Sequence, residues 1–250
     1  MPAFPAGEPE WAVLVPAHNE RQTIREVVEG ALRHVGRVIV VDDGSTDGTA
    51  DALAGLDVTI IRHEENRGKG IRLAEGLAHA VAAGADGVIT LDADGQHDPE
   101  DIPAFIDAAR AAPGALVVGD RFADRDSIPS KRYASICFGD WWIGIAAGQP
   151  IRDAQCGMRL YPARLVREVN VPPDEREHFT YETSVLIRAA RAGLRIVRVP
   201  IAARYEGFQQ RPSHYRPALD TMRITRVVSR HVWRNRLHPR RLLIALNLIR

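Results

Sequence analysis

The sequence predicts an α/β fold: a mostly parallel central sheet flanked by helices, followed by a C-terminal helical appendage. Short β-branched runs alternate with stretches whose apolar residues recur at helical spacing, from Trp11 to Val118. Each run is apolar throughout, as in strands covered on both faces, rather than apolar at every second residue. The unusual polar residues follow the runs directly, where open α/β sheets bind ligands.

The elements follow in order. Trp11 to Val15 reads as a first strand ending at Pro16, and Ile24, Val27, Val28, Ala31, Leu32 and Val35 as one face of a helix. Val38 to Val41 is a second strand ending at Asp42-Asp43. Ser45 or Thr46 caps a helix reaching Leu56, and Val58 to Ile61 is a third strand. The Gly-rich turn Asn66-Arg67-Gly68-Lys69-Gly70 opens a helix with Ile71, Ala74, Leu77, Ala78 and Val81 on one face. Gly87 to Leu91 is a fourth strand, Pro99 to Ala112 a helix and Ala115 to Val118 a fifth strand. Asp98 suits the N-cap of that helix and Pro99 its first position.

Beyond Gly119 the pattern changes. Asp120 to Lys131 reads as a polar loop, Arg132 to Ala147 as an aromatic-rich helix, and Asp153 to Arg159 as loop or strand edge closed by Leu160-Tyr161-Pro162. Trp141 and Trp142 are adjacent, so they cannot share a helix face and one belongs near a surface. Glu182 to Ala190 marks a helix ending at Gly193, Arg195 to Pro200 a strand, and Pro217 to Trp233 a less regular helix.

Composition sets outer limits. The chain has 250 residues, 45% hydrophobic and 26% charged, enough for a full core. Two cysteines, Cys137 and Cys156, form no disulfide framework or zinc spacing and fit a reducing compartment. The first ten residues lack a basic segment and an apolar core, so no signal peptide is expected. No window offers the roughly 20 apolar residues of a spanning helix. Of 33 basic and 32 acidic side chains, eight basic and no acidic ones follow Asp220, so the first 220 residues carry a net −7. A mildly acidic body with a basic tail suits contact with an anionic surface.

Three strand ends carry the candidate chemistry: Pro16-Ala17-His18-Asn19-Glu20, Asp42 to Thr49, and Asp92-Ala93-Asp94. In a parallel sheet they share one edge, so the acids converge on one crevice. Asp92 and Asp94 are costly together unless a cation or hydrogen-bond donors neutralise them. Mg²⁺ suits, because it takes one or two carboxylates and completes its shell with waters and phosphate oxygens. No Gly-x-Gly-x-x-Gly follows the first strand, and Gly68-Lys69-Gly70 lacks the rest of a phosphate loop. A dinucleotide dehydrogenase and a nucleoside-triphosphatase are thereby disfavoured.

Pro16 to Glu20, Asp42 to Thr49, Asn66 to Gly70, Asp92-Ala93-Asp94-Gly95-Gln96-His97 and Gly119-Asp120-Arg121, in that order, resemble glycosyltransferase family 2. The Asp-Ala-Asp-x-Gln-His form is most similar to the dolichyl- or polyprenyl-phosphate mannosyl/glucosyltransferase branch. The resemblance runs from about Trp11 to Tyr205. It implies the GT-A (Rossmann-like) fold over residues 11–212, with 1–10 an extension and 213–250 the basic tail.

It implies roles as well. Pro16, His18, Glu20, Asp42, Asp43, Lys69 and Asp92 would bind a nucleotide-sugar of GDP-mannose or UDP-glucose type, although Lys69 could instead only cap a turn. Asp92, Asp94 and Gln96 would hold Mg²⁺ or Mn²⁺. Asp94, Arg121, Arg132 and Glu182 are the catalytic candidates, the arginines gripping phosphate with their planar forks, and Arg204 could join them. The implied reaction moves a hexose to a polyprenyl or dolichyl phosphate. Transfer to a saccharide or lipid hydroxyl is the alternative, and a non-catalytic nucleotide-sugar sensor a further one. A hydroxyl acceptor would need a base, with Glu182 the first candidate and Asp153 the second, though either could be a structural acid.

Three departures bear on the acceptor: Gln155-Cys156-Gly157-Met158-Arg159 stands where relatives often have Ser-Gly-Phe-Arg, no C-terminal membrane span is expected, and Ser213-His214-Tyr215-Arg216-Pro217 is not part of the mannosyltransferase pattern. The expected partners are the donor, a lipid-phosphate acceptor and, through the tail, a membrane surface or membrane protein; no nucleic acid is expected. Leu242 to Ile249 is apolar, but Arg240 to Arg250 makes only about 16 Å of helix, too short to span. The expected location is cytoplasmic, peripheral at the cytoplasmic membrane face.

Overall fold

A computed structural model describes residues 9–122, 130–202 and 217–234. The expected 120–131 loop lies mostly outside them, as do the Arg132 side chain, Arg204 and the 240–250 tail. Strand β1 (Trp11–Ala17) pairs in parallel with β2 (Val38–Asp43) and β4 (Gly87–Thr90), and β2 in parallel with β3 (Thr59–His63). Val13, Leu14, Ile39, Val40, Val88 and Ile89 are at most 1% exposed, so both faces of the sheet are covered. Burial of such side chains contributes about 1.5–3 kcal/mol each. Helices α1 (Ile24–Leu32), α2 (Lys69–Ala82) and α3 (Ile102–Ala111) cover them with their apolar stripes.

Register decides where the strands end. Ala17 lies opposite Asp42 and Leu14 opposite Thr90, so the segments after β1, β2 and β4 emerge along one edge, as the alternation predicts. After β4 the Glu100 N–H donates to Asp98 Oδ1 (3.1 Å), which makes Asp98 the expected cap. The chain passes through a 3₁₀ turn, Pro99–Asp101, before α3 begins.

Three expectations need correction. The helix expected from Ser45 or Thr46 to Leu56 is only a 3₁₀ turn, Asp51–Leu53. Asp47 takes the Thr49 N–H (2.9 Å) and hydroxyl (2.5 Å), and Gly48 sits at φ +87°. Such local side-chain bonds offer the backbone an alternative to the helix. The Asp153 to Arg159 stretch is loop only as far as Met158: Arg159 and the closing Leu160-Tyr161-Pro162 form β6 (Arg159–Pro162), an antiparallel strand inside the sheet between β4 and β5 (Leu116–Asp120). The order is β3-β2-β1-β4-β6-β5-β7, with β7 (Ile196–Pro200) parallel to β5. The short helix α5 (Ala163–Glu168) was not expected at all.

Helices α4 (Ser130–Ala147), α6 (Thr180–Arg191) and α7 (Pro217–Arg234) pack on one another beside the sheet. Trp141 is 46% exposed and Trp142 partly buried, which separates the adjacent aromatics as expected. Among the described residues no helix is long and apolar enough to cross a membrane.

The appended helix α7 is tied down by buried charge. Glu175, wholly buried, accepts from Ser184, from Arg188 Nη2 (2.9 Å) and lies 3.2 Å from His231 Nε2 of α7. Burial pushes the Glu175 carboxyl up, but the bonds from His231, Ser184 and Arg188 outweigh it and hold the group well below the usual glutamate range. A depressed folded pKa means stability that is present above the ordinary glutamate value and is lost as pH falls. Glu175→Gln is therefore expected to cost about 1–3 kcal/mol at neutral pH. The deficit should shrink as pH falls below about 4.3, the ordinary glutamate value. Urea titrations of both proteins at neutral and acid pH check this; an equal deficit at both would contradict it.

Candidate active site

The first two loops are laced together by short polar side chains. The Asn19 N–H donates to Ser45 Oγ (2.9 Å), the Thr46 N–H to Asn19 Oδ1 (2.9 Å) and the Glu20 N–H to Thr49 Oγ1 (2.9 Å). His18 Nδ1 lies 2.9 Å from the Asp43 carbonyl oxygen. Gly44 makes the bend after β2 at φ +71°, where a Cβ would stand 2.8 Å from the Asn66 nitrogen. Only glycine suits that conformation and that close approach.

Asp42 and Asp43 differ in what they do. Asp43 is spent inside the protein: it accepts from the Arg67 N–H (2.8 Å), the Gly68 N–H (2.8 Å) and Arg72 Nε (2.6 Å). It therefore shapes the turn that starts α2. Asp42 is wholly buried, and its Oδ1 accepts the Ser45 N–H (2.9 Å). Its Oδ2 accepts no hydrogen bond among the described residues, with Arg62 Nε standing off at 3.7 Å. A buried carboxylate oxygen without a donor is costly unless something outside the chain supplies one.

The acids after β4 meet residues from two other elements. Lys69, the first residue of α2, places Nζ 2.6 Å from Asp92 Oδ1 and 3.4 Å from Glu182 Oε1, in the first turn of α6. Despite burial, the Lys69 ammonium holds the Asp92 carboxyl below the usual aspartate range. Asp94 accepts the Gln96 N–H (2.9 Å). Burial first, and then the neighbouring Asp92 charge, push its carboxyl up to about 6, and Glu20 adds to the push. So Asp92, Asp94, Glu20 and Lys69 share one electrostatic neighbourhood.

Among the described residues no three His, Cys, Asp or Glu side chains gather as a complete metal cage. The donors nonetheless fit a hard cation of the Mg²⁺ kind. Asp92 and Asp94 offer oxygen, their mutual repulsion calls for positive charge, and phosphate oxygens and waters can complete the shell. Gln96 is carried on the same turn.

The inserted strand β6 contributes what spacing could not reveal. Thr90 Oγ1 donates to the Gly157 carbonyl oxygen (2.7 Å), across 67 residues. This brings Gly157 so close to Asp92 that a Cβ there would collide with the carboxylate. His97, nearly buried, places Nε2 4.0 Å from Asp92 Oδ2. Burial pushes its imidazole down to about 4, so it is neutral at physiological pH. Arg159 is wholly buried and donates to the carbonyls of Cys156 (2.9 Å), Glu182 (2.8 Å) and Ala154 (2.6 Å). It fastens the loop before β6 to the start of α6.

Around Arg121 the geometry is more specific than the sequence. Arg121 directs Nε (2.9 Å) and Nη2 (2.5 Å) at the carboxylate of Asp153, which also accepts the Arg121 N–H (2.9 Å). Two of its guanidinium nitrogens are thus committed within the protein. Asp153 is wholly buried at φ +53°, and the N–H groups of Asp153 and Ala154 donate to Asp140 (2.7 and 2.8 Å). That favours the structural reading of Asp153 over a base. No spacing signal marked Asp140, whereas His97 closes the Asp92-to-His97 motif and Arg159 ends the polar Asp153 to Arg159 stretch.

Comparison with known proteins gives the family. A family model described as glycosyl transferase family 2 matches residues 12–168. An undecaprenyl-phosphate mannosyltransferase of Micrococcus luteus is 31% identical over 199 residues, covering 75% of this chain and 81% of that protein. A polyprenol monophosphomannose synthase of Mycolicibacterium smegmatis is 27% identical over 201 residues, 76% of this chain and 75% of the relative. In three dimensions, glucosyl-3-phosphoglycerate synthase from Mycobacterium tuberculosis, solved with Mn²⁺, UDP-glucose and phosphoglyceric acid, aligns at a TM-score of 0.66. It is 21% identical, with 94% of this chain and 84% of that one covered, a likeness of fold. A mostly parallel seven-stranded sheet with its acids on the carboxyl edge is the GT-A arrangement, and with the family match over most of that sheet the chain is a glycosyltransferase belonging to glycosyl transferase family 2.

Proposed function

We propose that the enzyme transfers a hexose from a nucleotide-diphosphate sugar to a polyprenyl phosphate, with Mg²⁺ or Mn²⁺ as cofactor. The observation that carries the donor side is Asp42 Oδ2, buried without a donor on the strand edge that also carries the Asp92–Asp94 turn. A nucleoside hydroxyl or N–H supplies the missing bond, with Pro16, His18 and Glu20 alongside and Asp43 holding the turn. Asp92, Asp94 and Gln96 would hold the metal, which when bound neutralises negative charge developing on the leaving diphosphate. The names of the two relatives above support the acceptor.

A phosphate monoester is already anionic at neutral pH, so the protein has only to position it. A hydroxyl acceptor instead needs a base within hydrogen-bond reach. Glu182 is the acid placed for that, held beside Asp92 through Lys69. The test is sugar transfer to short polyprenyl phosphates from a panel of GDP- and UDP-sugars, with and without Mg²⁺ or Mn²⁺. Glu182→Gln should keep turnover within about tenfold of wild type, well short of the loss expected when general-base catalysis is removed. A loss of several orders of magnitude with the fold intact favours the hydroxyl acceptor. Transfer with no nucleotide-sugar, or with no need for metal, sinks the donor side.

Gly157→Ala should lower the same activity by roughly 10²-fold, because its Cβ displaces the Asp92 carboxylate and small misplacements at a reacting centre are costly. Unchanged turnover would mean that Asp92 does not need its present position.

A peripheral location at the cytoplasmic membrane face is part of this proposal. Helix α7 exposes Leu219, Met222 and Trp233 together with Arg226 and Arg234. Apolar side chains mixed with basic ones suit the surface of an anionic leaflet. Failure to sediment with anionic vesicles at low salt would remove this part.

A further inference from the structure

Lys69 stands where a cation is least welcome. It opens α2, and the positive end of a helix dipole disfavours a basic residue in the first turn. Yet its ammonium is drawn inward, 2.6 Å from Asp92 and 3.4 Å from Glu182, with the Phe179 ring centre at 5.7 Å. Asp92 Oδ1 is taken by that ammonium, and its Oδ2 lies 4.0 Å from His97 Nε2 and beside Gly157, where no side chain would fit. The carboxylate best placed to hold a divalent ion already has a cation of the protein's own.

We propose that Lys69 is a tethered counter-cation that competes with the divalent ion for Asp92, so that metal is bound strongly only together with a diphosphate that takes over the displaced ammonium. The inference rests on the metal site proposed above. An ammonium in contact with Asp92 Oδ1 and a metal ion on the same oxygen repel each other at close range. A divalent ion arriving alone must therefore push Lys69 aside and leave its charge crowded against the new one. A nucleoside diphosphate brings the negative charge that both cations need, and Lys69 exchanges a carboxylate for a phosphate oxygen. Metal and nucleotide then raise each other's affinity by the same factor, as linkage requires. Lys69 is a positioning residue in this account, and its effect appears in metal binding before any sugar moves.

The test is Mn²⁺ binding by the full chain, read by electron paramagnetic resonance, with and without UDP or GDP, at about pH 8 where the carboxylates are ionised. In wild type, nucleotide should tighten Mn²⁺ binding by about tenfold or more. Without nucleotide, Lys69→Met should bind Mn²⁺ about tenfold tighter than wild type, and the gain from nucleotide should shrink by a similar factor. Lys69→Arg, which keeps the charge, should remain weak without nucleotide. Lys69→Gln gives the same reading if the methionine variant does not fold.

Two failures are distinguishable. If Lys69→Met or Lys69→Gln binds Mn²⁺ no more tightly than wild type, while Asp92→Asn abolishes binding, the competition is overturned and the metal site stands. If wild type binds no Mn²⁺ with either nucleotide, the metal site falls and the competition with it.

Discussion

Asp94→Asn is expected to lower sugar transfer by about 10³-fold while leaving the fold at least as stable as wild type. Loss of roughly 4 kcal/mol of transition-state stabilisation corresponds to that factor, and stabilising charge on a leaving diphosphate is worth several kcal/mol. Stability should behave differently. The Asp94 carboxyl is pushed up to about 6 by burial and by Asp92, so its ionised form is disfavoured in the folded chain. An amide removes that repulsion, and its oxygen can still accept the Gln96 N–H. With a chelator present, Tm should be unchanged or higher. Steady-state kinetics and thermal unfolding of one preparation check both halves. A variant that loses activity only by unfolding, or that retains turnover, would remove Asp94 from the site.

Arg159→Met is expected to be strongly destabilising. The side chain is wholly buried, and its guanidinium is solvated by three carbonyl oxygens, at 2.9, 2.8 and 2.6 Å. Methionine fills much of the volume but donates nothing. The Glu182 carbonyl keeps its place in the α6 ladder, but the loop carbonyls of Cys156 and Ala154 lose the Arg159 donor at about 1–3 kcal/mol each, which puts the total near 3–5 kcal/mol. For a chain of this size each kcal/mol moves Tm by about 2–4 °C, so a fall of roughly 10–15 °C is expected. Arg159→Lys should recover only part, because an ammonium lacks the planar fork that reaches three acceptors at once. Activity should fall further than global unfolding explains, since the released loop carries Gly157 against Asp92 and the released helix carries Glu182. A Tm within a few degrees of wild type would refute this account.

The two variants mark different distances from the sequence. The position of Asp94 could be read from order alone. An apolar run ending in two acids has to end on the carboxyl edge once the neighbouring runs are parallel, and the register of Ala17 with Asp42 and Leu14 with Thr90 places it there. The place of Arg159 could not. Strand β6 is only Arg159–Pro162, preceded by a polar stretch, and its antiparallel seat between β4 and β5 depends on which edges those strands leave open. The 45–56 segment misled in the opposite way. It carries helix-start residues, but Asp47, Gly48 and Thr49 satisfy the backbone locally and stop the helix from forming.

Within the site, the sequence by itself determined which chemical groups are present and which strand edge carries them, because side-chain type and strand alternation are local properties. Tertiary structure decided how those groups are spent. Arg121, whose fork suited a substrate phosphate, turns two of its nitrogens on Asp153, and Asp43 is consumed in holding the turn before α2. Asp42 keeps an oxygen for something else, and Lys69 is claimed by Asp92 and Glu182. Charge pairing depends on separations of a few ångströms between residues far apart in the chain, and only the packing of β6 and α6 against β4 and α2 sets those separations.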